Sequence, residues 1–159
     1  MSMFRVALSG DFKKTDGTPA YPMFDLSPLE ENSDIEVVYV DPVEGRMSAD
    51  SLVGIDALIL LMPVFDKGSI PDDGRLSVVA RFGVGYDTVD IEACTEAGIA
   101  VCITPDGVRR PVAVTILTFI LALAGKLLDK DRLTREGSAG FAKRANYMGI
   151  GLIGRTLGS

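Results

Sequence analysis

The chain has 159 residues, of which 47% are hydrophobic and 24% are charged, and its formal net charge at pH 7 is −6. These values are typical of a globular protein, either one domain or one domain with a piece of another. The acidic balance argues against a nucleic-acid-binding protein. The sequence contains no histidine, which excludes a Ser-His-Asp triad, a histidine general base and the commonest zinc ligand within these residues.

Alternating strands and helices are predicted over residues 4–104. Short apolar runs bounded by turn residues predict five strands, at Phe4–Leu8, Ile35–Val40, Asp56–Leu61, Val78–Ala80 and Ile99–Ile103. Amphipathic segments between them predict helices at Met23–Glu31, Ser48–Val53 and Asp87–Ala97, with an irregular turn around Ser69–Arg75. Near-continuous apolar strands that alternate with helices are typical of a parallel sheet covered on both faces. The predicted fold is therefore α/β, with a flavodoxin-like, doubly wound parallel sheet.

The pattern changes after Pro105. Residues Val112–Ala124 are apolar on nearly every face, and the run ends at Gly125 and Lys126. It is shorter than the ~20 apolar residues that cross a bilayer, and a helix that is apolar all round is typically buried. We expect it to pack against another domain or a second chain, although the core of a monomer is an alternative. The glycine-rich stretch Glu136–Ser159 predicts a surface excursion followed by the start of a strand.

The two cysteines indicate the cellular compartment in which the protein is found. Cys94 and Cys102 fall in a predicted helix and a predicted strand, without metal-ligand spacing, and they fit a reducing location better than a disulfide framework. The N-terminus runs directly into a strand and has no signal-peptide form. We expect a cytoplasmic protein that binds neither metal nor membrane.

The most informative segment is Arg81–Asp90, a glycine-containing loop between the predicted fourth strand and the next helix. Gly83 and Gly85 let the backbone turn and approach a ligand, and a positive φ at Gly85 would make any side chain there strained. With Asp87 as the predicted N-cap, the loop would offer unpaired N–H groups to a carboxylate or phosphate. Ligands of doubly wound sheets bind outside the carboxyl ends of the strands. A binding loop is therefore favoured over a simple turn.

A second glycine pattern, Gly149–Gly154, matches G-x-G-x-x-G letter for letter. A dinucleotide-binding fingerprint works only where a strand ends and a helix begins, because the pyrophosphate lies at the helix N-terminus. Residues 143–148 do not predict a strand, and too few residues follow for a helix. We therefore do not assign this motif to cofactor binding.

The loop Arg81–Asp90 resembles that of the D-isomer-specific 2-hydroxyacid dehydrogenases, which usually reads Arg-x-Gly-x-Gly-x-Asp-Asn-Val-Asp. The resemblance continues through Gly98–Pro105, the apolar helix and Gly154–Gly158. It implies a substrate-binding domain at residues 1–104. Residues 105–159 would be a crossover helix and the lead-in to a nucleotide-binding domain. On this interpretation the chain is the N-terminal part of a longer enzyme and is inactive alone.

The resemblance also implies site residues. The N–H groups of Val84 and Gly85 would hold the carboxylate of a 2-hydroxy or 2-keto acid, with Tyr86 and Met62 also in the substrate site. Val84 and Val112 would contact NAD or NADP, and the helix at 112–124 would form a homodimer. The family's catalytic arginine, glutamate and histidine would lie beyond residue 159, so no catalytic residue is assigned here.

Three positions depart from the family pattern. Thr88 replaces an asparagine in the loop, Ile103 stands where asparagine is frequent, and Val114 stands where the crossover helix usually carries glutamate. The last two changes replace polar groups with apolar ones. They argue against polar contacts at the domain hinge without affecting Val84 and Gly85.

Two other classes of protein share features with this sequence. Acidic residues near strand ends suggest a receiver domain; they are Asp11, Asp41, Asp56 and Asp66. Against it, the predicted third strand ends in Leu61-Met62-Pro63 and not in a phosphorylatable aspartate. The second alternative is a non-catalytic module that binds an anion or a protein partner.

Overall fold

The computed structural model describes residues 3–158. Its strands are β1 (Phe4–Ser9), β2 (Ile35–Val40), β3 (Ala57–Leu60), β4 (Val78–Arg81) and β5 (Ala100–Ile103). They form a five-stranded sheet in the order β2-β1-β3-β4-β5, and every neighbouring pair is parallel. This is the flavodoxin-like order. The predicted fold class is confirmed, and each strand lies within a residue of its predicted bounds.

The described helices are α1 (Ser27–Glu30), α2 (Ile91–Glu96), α3 (Pro105–Ala124), α4 (Leu127–Arg135) and α5 (Ser138–Lys143). Short 3₁₀ turns lie at Gly10–Phe12, Asp50–Leu52, Lys67–Ser69 and Arg144–Tyr147.

Two predicted helices are much shorter than expected. The one predicted at Met23–Glu31 reduces to α1, because Pro28 lies in its first turn, where proline starts a helix. The one predicted at Ser48–Val53 reduces to a 3₁₀ turn. It is confined between Met47, whose N–H donates to the Val64 carbonyl, and Gly54, whose φ is 77°.

Both faces of the sheet are covered by apolar side chains. Because successive residues of a strand point to opposite faces, Ala7 and Leu58 belong to one buried cluster while Leu8 and Ile59 belong to the other. The central strands β1 and β3 therefore have little exposed surface. Their ends position the loops at the carboxyl edge of the sheet.

Asp56, immediately before β3, joins two arginines at the amino edge of the sheet. Its carboxylate accepts hydrogen bonds from Arg75 Nε at 2.8 Å, from Arg75 Nη2 at 2.9 Å and from the Arg5 backbone N–H at 2.7 Å. The Asp56 side chain is 14% exposed. The Arg75 hydrogen bonds, supported by the Arg5 N–H and opposed by burial, hold the pKa of Asp56 below its usual 3.8.

We expect Asp56→Asn to lower the free energy of unfolding by about 2 kcal/mol at pH 7, since hydrogen bonds to a charged group contribute about 1.5–3 kcal/mol. A carboxyl whose pKa is lower in the folded state stabilises the fold above its unfolded pKa of about 3.9, and that contribution is lost as the pH falls through the folded-state pKa. Urea denaturation should therefore show the two proteins converging in stability as the pH falls below about 4.

The exposed Asp72, in the neighbouring loop, provides a control for this substitution. Asp72→Asn should leave the denaturation midpoint unchanged. A stability difference between wild type and Asp56→Asn that does not depend on pH would contradict the assignment of the lowered pKa.

The chain divides into two compact units, the first ending at Gly107 and the second beginning at Val108. The division lies inside α3, near the start of the helix. The assignment of residues 1–104 to a substrate-binding domain, and of residues 105–159 to a crossover helix and lead-in, stays a prediction.

The helix α3 is longer than predicted, because it already begins at Pro105 and continues through Pro111. None of its residues is buried, and Leu121 and Leu123 are 62% and 79% exposed. By length and composition alone it is apolar enough to cross a membrane, whereas the run predicted from sequence was too short. Core helices of soluble proteins pass the same test, so it is weak support for a membrane span.

The remainder of the second unit differs from the predicted irregular excursion. α4 follows Lys126, whose φ of 50° places it in the left-handed region, and α5 packs against α4. No strand forms between Leu152 and Gly158 in the part of the chain that the structure describes. A strand needs a hydrogen-bonded neighbour, and the described residues of this unit supply none; Ser159 lies outside them.

Candidate functional site

The glycine loop leaves the carboxyl end of β4 and is held at its base by both neighbouring strands. The Phe82 N–H donates to the Leu60 carbonyl at 2.8 Å, which extends the pairing with β3. On the other side, the Thr104 N–H donates to the Gly83 carbonyl at 2.8 Å, and the Gly83 N–H donates to Thr104 Oγ1 at 2.9 Å. The loop therefore starts from a rigid base between β3 and β5.

A second anchor holds the far end of the loop. The Phe65 N–H donates to the Thr88 carbonyl and the Asp90 N–H donates to the Phe65 carbonyl, both at 2.8 Å. Phe65 is fully buried, so this end of the loop is tied to the core. The segment after β3 and the segment after Gly85 therefore lie side by side.

This second anchor explains why the helix starts later than predicted. Asp87 is not the N-cap: residues 88–90 are held by Phe65, and α2 begins at Ile91. Asp90 caps α2 instead, its Oδ1 accepting from the Ala93 N–H at 2.9 Å. The helix N-terminus is thus partly satisfied by its own side chain, and any anion at this loop must be bound by the loop backbone.

Between the two anchors lie the N–H groups of Val84 and Gly85. Neither donates a hydrogen bond to any residue in the range 3–158 that the structure describes. Both residues are exposed, Val84 by 42%. Two adjacent main-chain donors therefore lack an acceptor among the described residues, and the binding of a carboxylate by them stays a prediction.

The conformational strain lies at Gly83 and not at Gly85. Gly83 has a φ of 141°, which a residue with a side chain rarely adopts, whereas Gly85 is outside the positive-φ region. A Cβ on Gly83 would also lie 2.8 Å from Arg81 Nη1. The condition for strain at Gly85, a positive φ, is therefore not met, because the loop makes its sharp turn two residues earlier.

Two charged side chains flank the donors. The Arg81 guanidinium folds back on the loop and contacts the Phe82 carbonyl, while its Nε is buried without an acceptor in the described part of the chain. The Asp87 carboxylate opposes an anion, since its Oδ2 is 3.7 Å from the position of a Cβ on Gly85. Arg81 offsets this negative charge and favours a bound carboxylate.

Met62 joins the loop at the carboxyl edge of the sheet. It follows β3, its N–H donates to Asp11 Oδ2 at 2.9 Å, and its side chain is 63% exposed. Tyr86 is 49% exposed. The structure thus brings Met62, Val84, Gly85 and Tyr86 to one edge of the first unit. Val112 belongs to the second unit, where it is 51% exposed on α3.

Two of the three positions that depart from the family pattern, Ile103 and Val114, are exposed. Ile103 ends β5 with 39% of its side chain accessible, and Val114 on α3 is 62% exposed. No polar side chain occupies either position.

Sequence reasoning missed two contributors to this edge. Thr104 anchors Gly83 through its hydroxyl, and Asp11 accepts the Met62 N–H. A signal for Thr104 was its place directly after the predicted fifth strand. The hydrogen bond from the Met62 N–H to Asp11 could not be found in the sequence, because it joins residues 51 positions apart.

The acidic residues that suggested a receiver domain have local structural contacts. Asp56 lies at the amino edge with Arg75. Asp66 caps a 3₁₀ turn and pairs with Arg46. The carboxyl end of β3 carries Leu61 and Met62, so it has no acceptor for a phosphoryl group. Over residues 3–158, no group of three metal-ligating side chains comes together.

The pattern Gly149–Gly154 has no dinucleotide-binding geometry. A 3₁₀ turn precedes it, and no strand or helix follows it in the described residues. The Ile150 N–H donates to the Ala124 carbonyl at 2.8 Å, which places the pattern against the end of α3. The pattern Gly149–Gly154 therefore does not fit the pyrophosphate of a dinucleotide.

Comparison with known proteins identifies the family. Residues 22–118 match the family model for the D-isomer-specific 2-hydroxyacid dehydrogenase catalytic domain. The glyoxylate reductases of Thermococcus gammatolerans and Thermococcus kodakarensis are 33% and 31% identical over 150 residues, covering 89% of this chain and 44% of each relative. The chain thus spans less than half the length of the relatives it matches.

Solved structures show the same fold. A 2-hydroxyacid dehydrogenase from Ketogulonicigenium vulgare superposes with a TM-score of 0.65 at 24% identity, over 98% of this chain and 46% of that one. An NAD-dependent formate dehydrogenase from Staphylococcus aureus also gives 0.65, at 17% identity, over 92% of this chain and 46% of that one. The family model covers more than half of the chain, including the glycine loop and the strand ends that flank it. The chain belongs to the D-isomer-specific 2-hydroxyacid dehydrogenase family.

Proposed function

We propose that this chain is the substrate-binding part of an oxidoreductase that transfers a hydride between a nicotinamide cofactor and a small 2-hydroxy or 2-keto acid. Family membership supports the reaction class, and relatives carry names such as glyoxylate reductase and D-3-phosphoglycerate dehydrogenase. Val84, Gly85, Tyr86 and Met62 are the proposed substrate-binding residues. Val84 and Val112 are the proposed cofactor contacts.

The pair of unpaired N–H groups at Val84 and Gly85 carries this proposal. A carboxylate accepts through both oxygens, and hydrogen bonds to a charged group contribute about 1.5–3 kcal/mol each. The donors are already oriented, because the loop is anchored on both sides by β3, β5 and Phe65. Holding the carboxylate in this way orients the neighbouring C2 carbon of the acid, as positioning for catalysis requires.

The cofactor, NAD or NADP, supplies or accepts the hydride when it is bound. The glycine pattern at 149–154 does not fit a dinucleotide, and the chain has no histidine to act as proton donor. The residues described here are therefore proposed to bind and orient the acid, and no catalytic residue is assigned to them.

We expect the isolated 159-residue chain to show no dehydrogenase activity and to bind NAD weakly or not at all. Micromolar affinity requires about 8 kcal/mol of binding free energy, and residues 3–158 contain no pyrophosphate-binding turn to provide it. Isothermal titration with NAD and with NADP measures this directly. A micromolar dissociation constant would refute the expectation.

The decisive experiment begins with sequencing of the coding region around and beyond the codon for Ser159. The complete gene product is then assayed with NADH and NADPH against glyoxylate, pyruvate and larger 2-keto acids. Oxidation of either cofactor that depends on the keto acid is expected. If the complete gene product oxidises neither cofactor with any of these acids, the proposed enzyme function fails.

The alternative function is a non-catalytic module that binds an anion or a protein partner. The lack of histidine and of a cofactor-binding turn in these residues favours it. It predicts that the complete gene product has no dinucleotide-binding fingerprint after a strand. It also predicts that the protein binds a carboxylate without turning it over. The same sequencing and assay therefore separate the two functions.

We further propose a homodimer formed through α3. Five apolar side chains of this helix are at least half exposed: Val112, Leu117, Phe119, Leu121 and Leu123. Patches of apolar surface larger than a few hundred Å² are typical of interaction sites. A second copy of the chain would cover this apolar surface of α3, so that no membrane is needed to cover it.

Leu121→Glu should shift the complete gene product from dimer towards monomer, because it places a charge on this apolar surface. Sedimentation velocity across a wide concentration range measures the shift. Thr15→Glu adds the same charge in an exposed turn of the first unit and should leave the assembly intact. A wild-type protein that is monomeric at all concentrations would contradict the dimer.

We also propose a cytoplasmic location. Cys94 is buried and Cys102 exposed, and both are free thiols in the structure, as is usual in a reducing compartment. Fractionation of cells producing the tagged complete gene product should recover it in the cytosol. Recovery in the membrane pellet would instead favour α3 as a membrane helix.

A further inference from the structure

Four aromatic rings pack together at the carboxyl edge of the sheet, and we call them the aromatic cluster: Phe12, Tyr21, Phe24 and Phe82. The Phe82 ring centroid lies 4.8 Å from that of Phe24 and 5.3 Å from those of Phe12 and Tyr21. Phe12 is 4% exposed, whereas Tyr21 is 46% exposed. The cluster therefore has a buried base and one accessible ring.

The aromatic cluster is continuous with the proposed carboxylate-binding loop. Phe82 immediately precedes Gly83, and its N–H is bonded to the Leu60 carbonyl. Leu61 packs in the same apolar group as Phe12 and Phe82, and the exposed Met62 follows it. Phe82, whose ring contacts Tyr21, is therefore close in sequence to Val84 and Gly85, and Met62 lies beyond the end of the neighbouring strand β3.

A small hairpin brings Tyr21 to this edge. Lys13 and Pro19 form an antiparallel bridge, and the Ala20 N–H donates to the Phe12 carbonyl at 2.8 Å. The family match begins at residue 22, so the hairpin and Tyr21 lie outside the matched stretch.

There is also space for the rings to adjust. A cavity of about 90 Å³ is lined by Phe12, Tyr21, Phe24 and Tyr39 among others.

The charges near this edge disfavour a second anionic group on the ligand. Asp11 has a buried oxygen, Oδ1, without a hydrogen bond in the described residues, and Asp41 packs against Gly10. Arg81 lies beside the loop that binds the first carboxylate, and Lys13 Nζ lies 3.5 Å from the centre of the Tyr39 ring. A second carboxylate or a phosphate near the aromatic cluster would therefore meet the negative charges of Asp11 and Asp41.

We propose that Tyr21 and Met62, backed by Phe12, Phe24 and Phe82, receive the side chain of the acid whose carboxylate binds at Val84 and Gly85. This inference rests on the proposed function and specifies its substrate class. The enzyme prefers 2-keto acids with a branched aliphatic or aromatic side chain to those with a second anionic group.

The test measures kcat/KM of the complete gene product for five keto acids. Phenylpyruvate and 4-methyl-2-oxopentanoate have large apolar side chains, pyruvate and glyoxylate have small ones or none, and oxaloacetate carries a second carboxylate. Apolar contacts change specificity by about 10- to 100-fold. We expect the two large apolar acids to exceed pyruvate by about this factor, and oxaloacetate to be the poorest substrate.

Substitutions locate the preference at Tyr21. Tyr21→Ala should lower kcat/KM about 10-fold for the large apolar acids and leave glyoxylate within about 2-fold, since glyoxylate has no side chain to contact the ring. Tyr21→Phe keeps the ring and should retain the preference. Phe4→Ala removes a half-exposed ring at the amino edge and should change no substrate.

The outcomes separate the two proposals. Turnover with oxaloacetate as the best substrate, or an equal effect of Tyr21→Ala on glyoxylate and on phenylpyruvate, would overturn this inference and leave the proposed function standing. No turnover of any keto acid with either cofactor would overturn the proposed function, and this inference with it.

Discussion

Gly83→Ala should lower kcat/KM of the complete gene product about 10- to 100-fold. A side chain at a φ of 141° is strained, at a free-energy cost of about 1–3 kcal/mol. The new Cβ would also lie 2.8 Å from Arg81 Nη1, so the guanidinium beside the loop must move. Relief of this strain rotates the backbone that carries the Val84 and Gly85 N–H groups. Steady-state kinetics with the best keto acid measure the loss of activity, and the melting temperature measures the effect of the strain on stability.

Variants at the next two positions act as matched comparisons. Val84→Ala should be mild, because the donor is its main-chain N–H. Gly85→Val has no positive φ to oppose it, and its Cβ would be 3.7 Å from Asp87 Oδ2, an ordinary contact. It should therefore leave the melting temperature nearly unchanged but strongly reduce kcat/KM, since the side chain crowds the ligand. Full activity of Gly85→Val would show that the loop is only a turn.

Gly140→Ala should destabilise the second unit by about 3 kcal/mol, at the upper end of typical overpacking. A Cβ on Gly140 would lie 1.9 Å from the Leu133 carbonyl oxygen and 2.7 Å from its carbon. These are backbone atoms, so the clash can be relieved only if α4 and α5 separate. Gly140 also lines a cavity of about 780 Å³ in this unit. Amide hydrogen exchange of α4 and α5 measures the loss of protection.

Gly151→Ala is the control for this substitution, because no atom lies within 4 Å of its Cβ position. It should leave exchange in α4 and α5 unchanged. Wild-type protection in Gly140→Ala would mean that the close packing of the two helices does not hold in solution.

The sequence by itself determined the sheet. β-branched apolar runs of four to eight residues bounded by turn residues predicted all five strands, because their length and their flanking turn signals favour a buried strand over a helix. The element order predicted the parallel flavodoxin-like sheet, and the letters Arg81–Asp90 indicated the family. The rejection of Gly149–Gly154 as a fingerprint also followed from its sequence context.

Helix bounds and backbone strain were decided only by the tertiary structure. The helix α2 begins at Ile91, later than the predicted Asp87, because the Phe65 backbone forms hydrogen bonds with residues 88 and 90. These segments are far apart in sequence. The positive φ lies at Gly83 rather than Gly85, because Thr104 and Leu60 hold the base of the loop. The order of the strands and a short hairpin bring the aromatic cluster together, and the hairpin has no hydrophobic periodicity by which the sequence could predict it. Such long-range contacts, unlike local periodicity, arise only when the chain folds.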